Sequence, residues 1–133
     1  MAKEFFFKSD KLVIWRPTGT LNTQKILDFI NFINQYCRTN DPHFCRLVDL
    51  CHITGISLSF KDLYPIAKQR NSFYNENITK NVKMAFLVKN PMTYGMARMY
   101  IMMTSDSHIE MDIFKTIEEV SDFLELEISE ITV

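Results

Sequence analysis

The chain has 133 residues, of which 47% are hydrophobic and 23% are charged, and its formal net charge is -1 at pH 7. This length predicts a single domain over residues 1–133, and the hydrophobic content excludes a disordered chain. The near-neutral charge argues against nucleic acid as a partner, because phosphate binding needs a surplus of Lys and Arg.

The three cysteines, Cys37, Cys45 and Cys51, form no spaced disulfide framework, which indicates a reducing compartment. The apolar run near the N-terminus is too short for a signal peptide, and no stretch approaches the roughly 18 apolar residues of a membrane span. We therefore expect a cytoplasmic protein without an integral membrane segment.

The first half of the chain predicts a β-hairpin, a helix and a central strand. Residues 5–8 and 12–16 are typical of two short strands joined by a turn. Apolar residues recur at helical spacing over residues 26–37, which predicts a helix that covers the sheet. Residues 47–50 are apolar except for Asp49 and predict a parallel strand buried on both faces.

A short loop is predicted after this central strand. The Asp49 carboxylate can accept hydrogen bonds from backbone N–H groups of this loop, which would order residues 52–57, and Gly55 lies in the middle of that segment. We therefore interpret Asp49 and Gly55 as the residues that order the loop.

Ser59 and Asp62 form an S-x-x-D pattern that predicts the start of the next helix, which extends to about residue 73. Pro65 lies inside this helix and removes one backbone hydrogen bond, so we expect a kink or a restart close to it.

The second half predicts two more strands and two more helices. After a polar connection, residues 82–89 form a parallel strand, and residues 109–114 alternate like an edge strand. A capping box at residues 116–119 opens a last helix that extends through residue 126, and residues 126–133 form a short acidic tail.

The helix predicted over residues 92–103 is unusual because it would be apolar nearly all round. Such a helix needs cover on more than one side, and methionine is common on adaptable binding surfaces. It is therefore a buried core helix, a homodimer face or the wall of a ligand pocket. Arg98 either pairs with a ligand carboxylate or phosphate or faces solvent. The candidate ligand or interface residues are Met92, Tyr94, Met96, Arg98, Met99, Tyr100 and Met103.

The predicted element order is ββαβαβαβα, without an internal repeat or linker. Strands that alternate with helices imply right-handed crossovers and parallel pairing. The predicted fold class is α/β, with a mostly parallel five-stranded sheet, an N-terminal β-hairpin and four helices.

Several local motifs occur in an order found in one family. Residues 19–22 (GTLN) match a G-x-L-D pattern, Asp49 and Leu50 match the end of a central strand, and residues 114–124 resemble an F-x-x-x-E-E-A-x-x-W-L ending. Residues 94–100 (YGMARMY) resemble a helix found in uncharacterised bacterial members of that family. Nearly the whole chain thus resembles the STAS and SpoIIAA-like family, which includes anti-sigma-factor antagonists and whose fold is related to CRAL-TRIO lipid-binding domains.

The resemblance implies a candidate phosphorylation site. In the antagonist branch a D-S-x-G motif follows the central strand, and its Ser is phosphorylated by a partner kinase. The equivalent position is Ser59, although Leu58 stands in place of the Asp and Lys61 in place of the Gly. Asp62 would repel a phosphate on Ser59, so the alternative is that Ser59 only caps the helix.

The sequence contains no motif typical of an enzyme active site. It has no P-loop, no G-x-G-x-x-G and no G-x-S-x-G, and only three glycines. Cys45 and Cys51, six residues apart on an extended chain, would lie about 20 Å apart and could not share a zinc ion. Cys51 and His52 point to opposite faces of an extended chain, which argues against a nucleophile and base pair. We therefore expect no catalysis, no metal and no cofactor.

Two functions remain open. The first is a non-catalytic regulatory or interaction module of a bacterial cytoplasm that acts through protein–protein contact, with a homodimer as the expected state. The second is a carrier or sensor that binds a lipophilic small molecule beside residues 92–103, and it predicts an apolar cavity on the order of 300 Å³ or more.

Overall fold

The computed structural model describes residues 5–105 and 107–132. The strands are β1 (Phe5–Ser9), β2 (Leu12–Trp15), β3 (Gly19–Asn22), β4 (Cys45–Asp49), β5 (Ile53–Ser57), β6 (Val82–Leu87) and β7 (Ile109–Phe114). The helices are α1 (Thr23–Cys37), α2 (Phe60–Asn77), α3 (Pro91–Met103), α4 (Ile117–Leu124) and α5 (Ile128–Ile131). In the part of the chain that the structure describes, no helix has the length and apolar character needed to cross a bilayer.

The main sheet has five strands in the order β1-β2-β4-β6-β7. β1 pairs with β2 in antiparallel fashion, and the other three pairs are parallel. Strands β2, β4 and β6 are almost entirely buried because helices cover both faces. The predicted α/β class, N-terminal hairpin and mostly parallel five-stranded sheet are confirmed, and β7 lies at the edge that its alternating pattern predicted.

Helices cover the two faces of the sheet unequally. One face packs against α1, α2 and α3, whose buried side chains join a single large core. The other face packs against α4 and α5 in a smaller core. This arrangement follows from the topology. The three connections between parallel strands have the same handedness and proceed in the same direction across the sheet, so α1, α2 and α3 lie on the same face.

The structure also contains a second, two-stranded sheet that the sequence did not predict. β5 pairs in parallel with β3, so residues 53–57 form a strand and the predicted loop is limited to a few residues after β4. Gly55 therefore belongs to a strand rather than to a loop. The β-branched residues Ile53, Thr54 and Ile56 favour this extended conformation.

Two helical segments extend beyond their predicted limits. α2 continues to Asn77 because Tyr74 is buried against the core, and it is one helix that contains Pro65 without a restart. α5 occupies residues that were predicted as an acidic tail, and Ile131 is fully buried in the smaller core. The predicted pair of Ser59 and Asp62 does form the capping box of α2.

Candidate ligand-binding pocket

A cavity of about 60 Å³ lies between the main sheet and helices α1, α2 and α3. Its walls are mostly aliphatic and aromatic. The residues that line it are Trp15, Leu21, Ile26, Phe29, Ile30, Ile33, Arg46, Val48, Leu50, Leu63, Ile66, Arg70, Tyr74, Met84, Phe86, Met96 and Tyr100.

The periodicity of each element explains this lining. Arg46 and Val48 of β4 and Leu50 just after its end occupy alternate positions and point to the face that carries α1 to α3. The contributions of α1 recur at helical spacing from Ile26 to Ile33. The cavity is therefore lined by residues of the larger core.

Arg46 is the most unexpected residue of the pocket, since only 2% of its surface is exposed. Its Nη1 donates to the Phe44 carbonyl at 2.8 Å and its Nη2 to the Pro42 carbonyl at 3.3 Å. The guanidinium also lies 4.3 Å from the centroid of the Phe44 ring. Burial lowers the pKa of Arg46, which reflects the cost of keeping its charge away from water.

Arg70 is a second buried cation in the same pocket, with 5% exposure. Its Nη1 donates to Asn34 Oδ1 on α1 at 3.0 Å. Its guanidinium lies 4.5 Å from the Phe73 ring centroid and 5.1 Å from that of Tyr74. Arg70 is close enough to Arg46 to contribute to the lowered pKa of that residue.

The other polar groups in the pocket are uncharged. The hydroxyls of Tyr74 and Tyr100 are hydrogen-bonded at 2.7 Å, and burial together with Tyr74 raises the pKa of Tyr100 well above its usual value. Trp15 stacks on Phe29 with ring centroids 4.6 Å apart. Its buried Nε1–H has no hydrogen-bond partner among the residues that the structure describes.

The pocket is polarised along the strand direction. Arg46 lies near the beginning of β4, whereas Leu50 follows its end. Helix α2 runs opposite to the strands, so Leu63 in its first turns lies towards the end of β4, and Arg70 and Tyr74 lie towards the beginning. One end of the cavity is therefore cationic and the other is apolar.

The structure separates the residues predicted on helix 92–103. Met96 and Tyr100 line the cavity, while Met92, Tyr94 and Arg98 are exposed. Met99 and Met103 are half-buried outside the cavity lining. The volume of about 60 Å³ is also far below the 300 Å³ expected from the sequence.

Asp49 has more partners than the predicted loop contact. It accepts hydrogen bonds from Cys51 N and from Arg16 Nε, each at 3.0 Å, and His52 Nε2 lies 3.8 Å from its carboxylate. Arg16 also donates to the Ile131 carbonyl. Asp49 therefore connects the ends of β2 and β4 to α5, on the opposite face of the sheet from the pocket.

Ser59 lies at the exposed start of α2, and its described hydrogen bonds involve neither Asp49 nor His52. Its backbone N and its Oγ both donate to Asp62 Oδ2, at 2.8 and 3.2 Å. Across residues 5–105 and 107–132, no three His, Cys, Asp or Glu side chains come together as metal ligands would.

Comparison with solved structures identifies the fold. An uncharacterised protein from Shewanella loihica PV-4, of the DUF3478 family and with a SpoIIAA-like fold, matches this chain with a TM-score of 0.53. The match covers 85% of this chain and 81% of the other. This chain has a SpoIIAA-like fold. The two sequences are 12% identical, so the likeness concerns the fold alone.

No protein-family model matches the chain, and no curated protein matches it. The resemblance to the SpoIIAA-like fold is confirmed at the level of architecture. The sequence did not predict Arg46 and Arg70 as site residues. The signal that could have identified one of them is the position of Arg46, a charged residue that faces inward from the central strand.

Proposed function

We propose that this protein is a non-catalytic binding domain of the bacterial cytoplasm that holds a lipophilic small molecule in the pocket, as a carrier or a sensor. The proposal rests on an apolar cavity that is lined by two buried arginines, Arg46 and Arg70. Neither arginine forms an ion pair with an acidic side chain among the described residues. Apolar cavities with a few convergent polar groups are the usual form of a ligand site.

The size of the cavity limits the ligand. Typical sites for drug-sized ligands have volumes of roughly 300–1,000 Å³, compared with about 60 Å³ here. The ligand is therefore compact, or α1 and α2 move apart when it binds. The flexible side chains of Met84 and Met96 in the lining support such adaptation.

The test uses the single tryptophan of the chain, Trp15, which lines the cavity. Purified protein is titrated with octan-1-ol while Trp15 emission is recorded, and saturable binding is expected. Replacing Met96 with Phe partly fills the cavity and should weaken binding by about tenfold or more, because overpacking a filled site is costly.

Met102→Phe is the matched control, because Met102 is on the same helix and is 68% exposed. It should bind octan-1-ol as the unmodified protein does. Emission that does not change with octan-1-ol, together with a native mass free of any adduct in gently purified protein, would refute the proposal.

A second candidate function is regulation through protein contact, with a second copy of this chain as the partner. Large apolar side chains are exposed at the beginnings of α2 and α3, namely Phe60, Tyr64, Met92 and Tyr94. Both helices begin beyond the carboxyl ends of the parallel strands, so these residues lie at the same end of the molecule. Exposed apolar residues of this kind are typical of interaction surfaces.

Analytical ultracentrifugation tests this candidate. A dimer at micromolar concentration that Tyr64→Glu converts to a monomer is the expected result. The control is Tyr64→Gln, a polar residue without charge, which should weaken the dimer less. A monomer at all accessible concentrations would argue against self-association.

A further inference from the structure

We infer that the ligand is a compact amphipathic monocarboxylate, with its carboxylate between Arg46 and Arg70 and its apolar body towards Leu50 and Leu63. The inference rests on the proposed binding function and adds the chemical class of the ligand.

The two buried arginines bring positive charge to the pocket. The described hydrogen-bond partners of the two guanidiniums are neutral, being the carbonyls of Phe44 and Pro42 and the amide oxygen of Asn34. No Asp or Glu forms an ion pair with either guanidinium in the ranges 5–105 and 107–132. Burying a cation without an anion is costly, and an anionic ligand would remove that cost.

The cationic end of the pocket is rich in hydrogen-bond donors. A guanidinium has five N–H donors, and Arg70 uses one of them in the bond to Asn34. The Tyr74 and Tyr100 hydroxyls share one hydrogen bond, which leaves one hydroxyl hydrogen available. This end of the cavity therefore offers donors, and an ionised carboxylate is an acceptor-only group that binds Arg in a bidentate manner.

The opposite end of the pocket is apolar. Leu21, Ile26, Leu50 and Leu63 line the cavity away from the two arginines and offer no hydrogen bond through their side chains. They match a hydrocarbon body. The small volume favours a carboxylate over a phosphate, which carries more oxygens that must be satisfied.

The experiment compares straight-chain acids from butanoate to decanoate with primary alcohols of the same lengths, using Trp15 emission and calorimetry. Each acid should bind at least about tenfold more tightly than its alcohol, as expected for hydrogen bonds to a charged group. Affinity should rise by about fourfold per methylene until the apolar end is full.

Variants identify the cationic end. Arg70→Met should weaken octanoate binding by at least about tenfold and change octan-1-ol binding by less than about threefold, because it removes the charge and keeps apolar volume. Arg98→Met is the control, since Arg98 is exposed on α3 and lies outside the cavity lining, and it should bind octanoate normally. Urea unfolding of each variant verifies that it is folded.

The outcomes separate the two proposals. Equal binding of acids and alcohols, or full octanoate binding by a folded Arg70→Met, would overturn the carboxylate inference and leave the binding function intact. Tighter binding of octyl phosphate than of octanoate would also overturn it. Binding of neither acid, alcohol nor phosphate would overturn both.

Discussion

Asp49 and Arg16 form hydrogen bonds that connect distant parts of the chain. It accepts from Arg16 and from the backbone of Cys51, and Arg16 in turn donates to Ile131. We expect Asp49→Ala to lower the free energy of unfolding by about 3 kcal/mol, because it removes a buried carboxylate that accepts hydrogen bonds from the mostly buried Arg16 and from the backbone of Cys51.

Urea denaturation measures this loss. Asp112→Ala is the control, because Asp112 is exposed on β7, and it should change stability by less than about 0.5 kcal/mol. Equal stability of the two variants would show that the Asp49 contacts contribute little.

Cys51 is expected to be an unreactive thiol at neutral pH. Burial, followed by the neighbouring Asp49 carboxylate, raises the pKa of Cys51 from 9.0 to about 11. Only the thiolate reacts, so the rate of Cys51 alkylation by iodoacetamide should rise with a midpoint near pH 11. The rate is measured by mass spectrometry of the Cys51 peptide, and the urea-unfolded protein is the control, with an expected midpoint near 9.0.

The raised pKa of Cys51 also fixes the sign of its effect on stability. The folded protein holds this proton more tightly than the unfolded chain does. Its contribution is therefore complete below pH 9.0 and is lost as the pH rises towards 11. A Cys51 midpoint near 9.0 in the folded protein would contradict both expectations.

Ser59 remains a predicted phospho-acceptor. Its Oγ and backbone N–H share the Asp62 carboxylate, so a phosphate there would place two negative groups together. We expect Ser59→Ala to cost about 1 kcal/mol of stability and Ser59→Glu to cost more, because the first removes one contact and the second adds repulsion. Ser72→Ala, on the exposed face of α2, is the control in thermal unfolding. A more stable Ser59→Glu would support the phospho-switch.

At the scale of elements, α5 shows how a short segment contributes to stability through one side chain. Ile131 is fully buried in the smaller core, whereas Ile128 on the same helix is 41% exposed. Ile131→Ala should lower the free energy of unfolding by about 2–4 kcal/mol because it leaves a cavity. Ile128→Ala is the matched control and should cost less than about 1 kcal/mol in the same urea titration. Similar losses would place the two side chains in similar environments.

The sequence predicted long, periodic elements well and short, non-local ones poorly. α1 and β6 have strong patterns of their own, and the structure contains both. The residues of β5 favour an extended chain, but β5 pairs with β3, more than 30 residues earlier, and a local pattern carries no information about that pairing. Gly55, typical of a loop, consequently lies in a strand.

The candidate site was predictable only in part, for a related reason. The Met-rich helix suggested a pocket, and Met96 and Tyr100 do line one. Arg46 and Arg70 were missed because a charged residue ordinarily faces solvent, and only the packing of α1 and α2 over β4 encloses both.

At the scale of the whole molecule, the position of each strand predicts an order of local stability. β4 and β6 each have a strand on both sides and helices on both faces, whereas β1 and β7 are edges. We expect amide hydrogen exchange of Leu47 and Ala85 to be at least about tenfold slower than that of Glu110, since central strands open with nearly the global free energy. Exchange followed by NMR measures this, and uniform rates across the sheet would contradict it.

The small sheet of β3 and β5 fixes the positions of two helices relative to each other. β3 leads directly into α1 and β5 leads into α2, so pairing of the two strands holds the beginnings of both helices side by side. Farther along, the hydrogen bond from Arg70 to Asn34 links the same helices. The two helices are thus joined at both ends of the pocket, by strand pairing at the apolar end and by the hydrogen bond from Arg70 to Asn34 at the cationic end. A ligand larger than the cavity would have to part α1 and α2 at the cationic end, where the bond to Asn34 would break.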